Sequence, residues 1–305
     1  MDPLSEVFSS MRVTAAVSTR LEATAPWGWR SAGEPDSRIT FVLVQRGEAV
    51  LSAKSHAAPI RLLAGDVFIL FDEDPYTMMD DPASAVVDCS VVEEHRIGNV
   101  IQFGGGGVPT TFISGSFAVD HLEAKPILSV LPKILHLKLE QVQSRAFQAV
   151  LELLSNELEQ SGLAAEATIV RLYEILFVYA IRAYAETDAL PEGGWLAAIS
   201  DKQLGKAARA MHARMDQHWS LQTLADQAAM SRTAFATKFK TTVGQTPLEY
   251  LTHWRMHRAR LLMRKGSHSL LQVAQAVGYD SESSFSRVFK QATGMSPGAF
   301  RRHAG

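Results

Sequence analysis

In the last third of the chain, apolar residues recur at spacings of three and four. Leu270, Val273, Ala274 and Val277 form one such set, and Phe285, Val288 and Phe289 form another. That period places each set on one face of a helix. Gly278-Tyr279-Asp280 separates them, and glycine supplies the backbone freedom that a sharp turn between helices needs. The second helix turns Glu282, Ser283, Ser286, Arg287 and Lys290 away from its apolar face. A short helix whose free face carries hydroxyls and cations suits a DNA major groove.

The pattern occurs twice. Phe235, Phe239, Gly244, Pro247 and Tyr250 recur fifty positions later as Phe285, Phe289, Gly294, Pro297 and Phe300. Leu224-Ala225 and Ala228 match Val273-Ala274 and Val277 at an offset of forty-nine, so the second copy has one extra residue in its turn. A fixed period of this kind indicates a duplicated supersecondary unit. In the first copy, Ser220 caps an expected helix over Leu221 to Ala228, and a second helix runs from about Arg232 to Val243. Pro247 then opens a long helix to Arg264, the position proline favours. That helix is roughly 26 Å long. It can hold two readers about one DNA turn, ~34 Å, apart. Arg255, Arg258, Arg260 and Arg264 make it basic. A helix over Leu204 to Met215 is expected to open the unit.

The first half of the chain has a different rhythm. Ile39 to Val44, Ala49 to Ala53, Ile60 to Leu63 and Val67 to Leu70 are short apolar runs. Arg46-Gly47-Glu48, Lys54-Ser55-His56 and Ala64-Gly65-Asp66 separate them, and a polar turn at Gly33 to Asp36 precedes them. Short strands at this spacing predict an all-β barrel or sandwich. Val86 to Glu94 reads as a further strand, and Thr111 to Phe117 as another with hydroxyls at alternate positions. Met1 to Val13 reads as a short helix or lead-in.

From Lys125-Pro126 onward the pattern turns helical, through Ile127 to Leu139 and then Phe147, Val150, Leu151, Leu154 and Leu158. Ala167 to Tyr184 is apolar on nearly every side, which predicts burial. These helices would pack on the barrel and supply a homodimer surface. The expected division is a barrel over 1–125, a helical packing and dimerisation segment over 126–190, a linker over 191–203 and a helical DNA-binding domain over 204–305. Trp195 to Ile199 could begin the last domain or cap the one before. The fold class is α+β: a β-barrel with appended helices, then two helix-turn-helix motifs joined by a long helix.

At 305 residues, 47% hydrophobic and 20% charged, the chain has enough apolar side chains for two cores. Its single cysteine, Cys89, cannot form an intrachain disulfide, which fits a reducing cytoplasm. Met1 to Arg20 lacks the apolar stretch of a secretory leader. The longest uncharged apolar run, Ile175 to Ile181, is far too short to cross a bilayer, so no membrane partner is expected. The net charge of −2 hides a division. Residues 205–305 carry 15 Lys and Arg against 5 Asp and Glu, whereas residues 1–200 carry 14 against 26. Only the C-terminal part suits a polyanion such as double-stranded DNA.

Other candidate chemistry is sparse. A glycine run at Gly104 to Gly107 lacks the Gly-Lys-Ser/Thr that a phosphate loop needs, and reads as a loop or strand crossing. Asp88 adjoins Cys89, the reverse of the cationic setting that activates a thiol, so this cysteine reads as structural or incidental. Only His56 and His95 are available as barrel imidazoles, and they are not spaced as a metal-binding pair.

Two resemblances follow from these residues. Residues from about Ala207 to Arg302 resemble the DNA-binding domain of the AraC/XylS family of bacterial transcription regulators. The second copy carries the motif: Ala274, Gly278-Tyr279, Ser283-Ser284-Phe285-Ser286-Arg287-Val288-Phe289-Lys290, Gly294, Ser296-Pro297 and Phe300-Arg301. Over roughly residues 5–125, Trp27-Gly28-Trp29-Arg30, Gly65-Asp66 and Ser114-Gly115-Ser116-Phe117 are similar to the cupin-type sensor domain of one branch of those regulators.

The first resemblance implies base-reading positions at Arg232, Thr233, Ala236 and Thr237, and at Glu282, Ser283, Ser286 and Arg287. Lys238, Lys240 and Lys290 would touch phosphates or solvent. Ala236 and Thr237 stand where the family usually carries long polar side chains, which favours thymine-methyl contact there. The resemblance also implies an activator that recruits RNA polymerase, acts as a homodimer and works in the bacterial cytoplasm at the nucleoid. The second implies a small-molecule effector, with Trp27, Trp29, Arg30, Phe41, His56 and Tyr76 as candidate pocket residues. Tyr76 sits where a metal cupin often carries histidine. No catalytic residue, metal or cofactor is expected. The rival readings are a metal-dependent cupin oxygenase or isomerase fused to a DNA-binding domain, and an architectural DNA binder without an effector.

Overall fold

The structure is a computed structural model describing residues 4, 5, 8, 13–32, 38–71, 75–138, 145–160, 162–186 and 194–304. Most of the expected lead-in, the turn at 33–36 and the start of the linker lie outside the described residues. The chain divides into two compact units, Met11–Thr187 and a second made of Asp188–Gly305 with Met1–Ser10.

The first unit has twelve described strands: β1 (Val13–Thr24), β2 (Gly28–Ser31), β3 (Arg38–Arg46), β4 (Glu48–Ala53), β5 (Ile60–Leu63), β6 (Val67–Phe71), β7 (Tyr76–Met79), β8 (Val87–Asp88), β9 (Arg96–Ile97), β10 (Val100–Gly104), β11 (Pro109–Val119) and β12 (Ile134–Leu137). They form a seven-stranded sheet in the order β12-β6-β3-β11-β1-β10-β9 and a five-stranded sheet in the order β5-β4-β7-β2-β8. Both contribute to one core, Leu21, Val42, Val44, Phe68 and Phe112 from the larger sheet and Trp29, Leu51, Leu62 and Met78 from the smaller.

Strand pleating sorts the side chains between two faces. Val42 faces that inter-sheet core, whereas Phe41 lies against Tyr173 with ring centroids 6.1 Å apart. On β11, Phe112 faces inward, while Phe117 contacts Tyr173 and Phe177 at 6.0 Å each. The outer face of the larger sheet is thus covered by helix.

Four described helices belong to this unit: α1 (Cys89–Glu93), α2 (His121–Leu128), α3 (Arg145–Gln160) and α4 (Ala165–Ala185). Helix α4 buries Ile169, Leu172, Tyr173, Leu176, Phe177, Ala180, Ile181 and Tyr184. Its seat is Gly115, where any side chain would overlap the Tyr173 phenol. That phenol meets the Ser18 hydroxyl at 3.1 Å and donates to the Ser114 carbonyl at 3.3 Å.

Two segments differ from expectation. Val86 to Glu94 is not one strand, because Asp88 caps a helix by accepting from the Ser90 amide at 3.1 Å. Ile134–Leu137 is a strand within an expected helical stretch. Its alternation lets Leu135 pair with Ile69 of β6, and His136 Nε2 sits 3.0 Å from buried Asp66 Oδ2.

The second unit is helical: α5 (Trp195–Ser200), α6 (Leu204–Ala213), α7 (Leu221–Gln227), α8 (Arg232–Val243), α9 (Pro247–Arg264), α10 (Leu270–Ala276), α11 (Glu282–Thr293) and α12 (Pro297–Ala304). Helix α5 falls in the expected linker but belongs to this unit: buried Trp195 meets Trp254 edge to face at 5.4 Å. No described helix is long and apolar enough to cross a membrane.

Candidate functional site

The sequence repeat is a repeat in space. Ser220 and Ser269 each make a capping box, at the starts of α7 and α10. Ser231 and Ser281 cap α8 and α11, accepting from the Ala234 and Ser284 amides at 3.3 and 3.2 Å. Gly244 and Gly294 end those helices in left-handed backbone, φ 83° and 79°. Phe235 and Phe239 lie 5.6 Å apart, Phe285 and Phe289 5.5 Å. Phe239 meets Tyr250 at 5.4 Å, and Phe289 meets Phe300 at 5.6 Å.

With their phenylalanines buried, α8 and α11 offer the opposite face outward. Arg232, Thr233 and Thr237 are exposed and Ala236 half-buried; Glu282, Ser283, Arg287 and Lys290 are exposed and Ser286 half-buried. Lys238 is half-buried. Its ammonium lies 2.8 Å from Asp201 Oδ2 and donates to Gln203 Oε1 at 3.2 Å, tying α8 to the α5–α6 turn. Burial works against the Asp201 carboxylate, but the Lys238 ammonium and the Leu204 and Gln203 amides outweigh it and hold its pKa below the ordinary value. Lys240 is exposed.

Helix α9 joins the motifs. Thr246 and Glu249 form its capping box, with Pro247 in the first turn. Its first half sends Tyr250 and Trp254 into the first core, around His212. Its second half sends Met256, Ala259 and Met263 into the second core with Val273, Phe285 and Phe289. At about 100° per residue these two sets lie on roughly opposite sides of the helix. One spacer therefore anchors a motif on each flank.

The β unit holds a cavity of about 840 Å³ between its sheets and the start of α4. Leu21, Trp29, Val42, Leu70, Met78, Ile101 and Phe112 make its apolar wall. Thr19, Ser31, Thr40, Tyr76, Ser114 and Ser116 add hydroxyls. Pairing places Thr19 beside Ser114 and Ser116 beside Thr40, so the hydroxyls cluster across β1, β11 and β3. Arg96 also lines the cavity; it is paired with Glu93 at 2.7 Å and donates to Thr19 Oγ1 at 2.9 Å.

The glycine run binds its own chain. The Gly105 and Gly107 amides donate to the Thr24 and Ala25 carbonyls at 2.8 Å, and the Gly106 amide donates to Thr24 Oγ1 at 3.0 Å. A side chain at Gly104 would overlap the Thr24 carbonyl. Cys89 opens α1 and lines the cavity half-buried.

Comparison with known proteins fits both halves. The family described as Cupin matches residues 2–186, and that described as Helix-turn-helix domain matches residues 224–303. A putative AraC-like transcription regulator of Streptomyces lividans is 33% identical over 303 residues, covering 99% of each chain. The chain belongs to the AraC-like transcription regulators. The HTH-type transcriptional regulator AlkR of Acinetobacter baylyi is 25% identical and covers 100% of each chain. The solved DNA-binding domain of AdpA, in complex with a target DNA, is 27% identical; the match covers 34% of this chain and 93% of that one, with a TM-score of 0.33.

In this AraC-like regulator the six candidate pocket residues separate. Trp29 and Tyr76 line the cavity. Trp27 stacks against Trp29 at 4.9 Å and is buried away from the cavity wall. Phe41 is on the α4 face, and Arg30 and His56 are exposed. Thr19, Thr40, Met78 and Arg96 line the cavity without a local signal in the sequence, whereas the alternate hydroxyls of β11 include two lining residues, Ser114 and Ser116.

Proposed function

We propose that this regulator reads two adjacent DNA segments with α8 and α11, and that a small molecule in the β-unit cavity adjusts the reading. The carrying observation is that each buried aromatic face leaves a complementary polar face exposed, Arg232, Thr233 and Thr237 on one helix and Glu282, Ser283 and Arg287 on the other. Arg287 has the planar fork that takes guanine O6 and N7 together. Ala236 and Thr237 suit a thymine methyl. Lys240 and Lys290 contact phosphates, while Lys238 supports α8 from behind.

The cavity falls within the ~300–1,000 Å³ range of small-molecule sites. An apolar wall beside clustered hydroxyls, with Arg96 already paired to Glu93, suits a largely apolar, uncharged molecule bearing a hydroxyl or carbonyl. Binding would shift an equilibrium between conformations. The regulator acts in the cytoplasm as a homodimer and activates by recruiting RNA polymerase; dimerisation raises affinity for repeated sites because the second contact becomes intramolecular. It is not an enzyme.

Selection of binding sites from random DNA, with and without extracts that contain candidate effectors, tests this reading. Recovery of a two-part site whose affinity changes with one extract supports it. Recovery of no common sequence contradicts it. Metal analysis of the purified protein separates the rival oxygenase: stoichiometric iron or manganese would favour it. Among the described residues no group of three His, Cys, Asp or Glu is arranged to hold a metal ion.

A further inference from the structure

We propose that Arg255 is a positioning residue that fixes the register between the two reading helices, and so sets the half-site spacing the regulator accepts. It occupies the middle of α9, between Trp254 of the first core and Met256 of the second. Its Nε donates to the Met215 carbonyl at 2.9 Å and its Nη2 to the Gln217 carbonyl at 2.7 Å. Both carbonyls belong to the segment between α6 and α7. The same guanidinium lies 5.6 Å from the Tyr279 ring centroid. It passes so close to Gly278 that any side chain there would overlap it. Tyr279 meets Phe285, in the first turn of α11, at 5.9 Å. One side chain therefore grips the loop leading into the first motif and the turn that aims the second reading helix.

Arginine chemistry suits this task. The planar fork reaches two carbonyls at once while its face stacks on an aromatic ring, which a lysine ammonium cannot do. A guanidinium held this way is not offered to a phosphate. His218 and Asp280 approach to 3.4 Å across the same junction, but both are largely exposed, so they add little.

Register matters because two linked readers gain affinity only when both engage at once. One added base pair moves the second half-site by about 3.4 Å and roughly 35°. A stiff pair of readers rejects that change, and a loosened pair follows it.

The test uses the full-length protein on a duplex that it selects from random DNA, with versions carrying one base pair more or fewer between the halves. The unaltered protein is expected to lose about tenfold or more in affinity on the altered spacings. Arg255→Met is expected to bind the selected duplex more weakly and to discriminate spacings about twofold or less. Its base preference within each half, and its salt dependence, stay as in the unaltered protein. Arg255→Lys keeps the charge but not the fork and falls between the two. If Arg255→Met weakens every spacing by one common factor, the proposal is overturned. It is overturned equally if that variant keeps the spacing preference and lowers the salt slope by about 1, since that marks a phosphate contact. Should Arg255→Met not fold, Arg255→Lys decides, because a spacing preference equal to that of the unaltered protein overturns the proposal. The inference rests on the two-helix reading above; an unaltered protein indifferent to spacing overturns both.

Discussion

Ala229 and Gly278 occupy the same place in the two motifs and share a left-handed backbone, φ 53° and 79°. Each follows the last turn of the first helix in its motif. The next residue closes the turn in the same way: the Met230 amide donates to the Ala225 carbonyl at 3.0 Å, and the Tyr279 amide to the Ala274 carbonyl at 2.9 Å. The geometry suits glycine, and only the second motif has it.

Two opposite effects on stability follow. Ala229→Gly relieves the steric cost of a β-carbon in left-handed backbone and should stabilise the C-terminal unit by about 0.5–1 kcal/mol. Gly278→Ala should destabilise it, because the new carbon would overlap Arg255 and sit 2.8 Å from the Asp216 carbonyl oxygen. Urea unfolding of the two variants checks both signs. A neutral Ala229→Gly would show that the turn has no strain to relieve.

Much of the C-terminal unit was legible because its signals are local. Phe235 and Phe285, Gly244 and Gly294, and Pro247 and Pro297 announce a duplicated unit through spacing alone, and the extra residue of the second turn was countable. In the β unit the deciding partners are distant. Ile134–Leu137 is a strand because β6 lies beside it, a fact that no neighbouring residue encodes. A short apolar run without such a partner reads equally well as helix. Phe41 and Val42 are adjacent in sequence, yet only the stacking of the sheets decides which faces the interior. In the sequence Arg255 is one of four arginines that make α9 basic, and nothing local marks it out because its carbonyl partners lie 38 and 40 residues upstream.

The lysines and Arg287 should separate by role. Arg287→Ala should cost about 1–3 kcal/mol on the cognate site and relax preference at one base pair. Lys290→Ala should weaken binding to all sequences alike and reduce the salt slope by about 1. Lys238→Met should leave that slope unchanged, since its ammonium is held by Asp201. Gel-shift titrations over a salt series measure all three, and a shallower slope for Lys238→Met would place that lysine on the DNA.

The Lys238–Asp201 pair also has a pH signature. The folded-state pKa of Asp201 is depressed, so its contribution is present above the unfolded value, about 3.9, and is lost as pH falls through the lower folded value. Asp201→Asn should be less stable than the unaltered protein at neutral pH, and the difference should vanish in acid below both values. A difference that persists in strong acid would mean the carboxylate charge is not the source.

Tyr173 offers a probe of the β unit. Burial pushes its phenol up to about 12, against the opposing hydrogen bond to Ser18. The folded value is raised, so this contribution is present below the unfolded pKa, about 10, and is lost as pH rises through 12. In an ultraviolet titration of the isolated chain, Tyr173→Phe should remove a tyrosine that ionises late. Gly115→Ala should cost about 1–3 kcal/mol by overpacking the seat of that ring. Ordinary titration of every tyrosine near pH 10 would mean α4 does not cover the sheet as described.

The most direct measurement of the central claim is a hydroxyl-radical footprint of the full-length protein on its selected duplex. From α8 and α11 clamped on α9, each bound protomer is expected to give two protected stretches, centred about one helical turn apart on the same face. A single protected stretch, or two on opposite faces of the duplex, would contradict it.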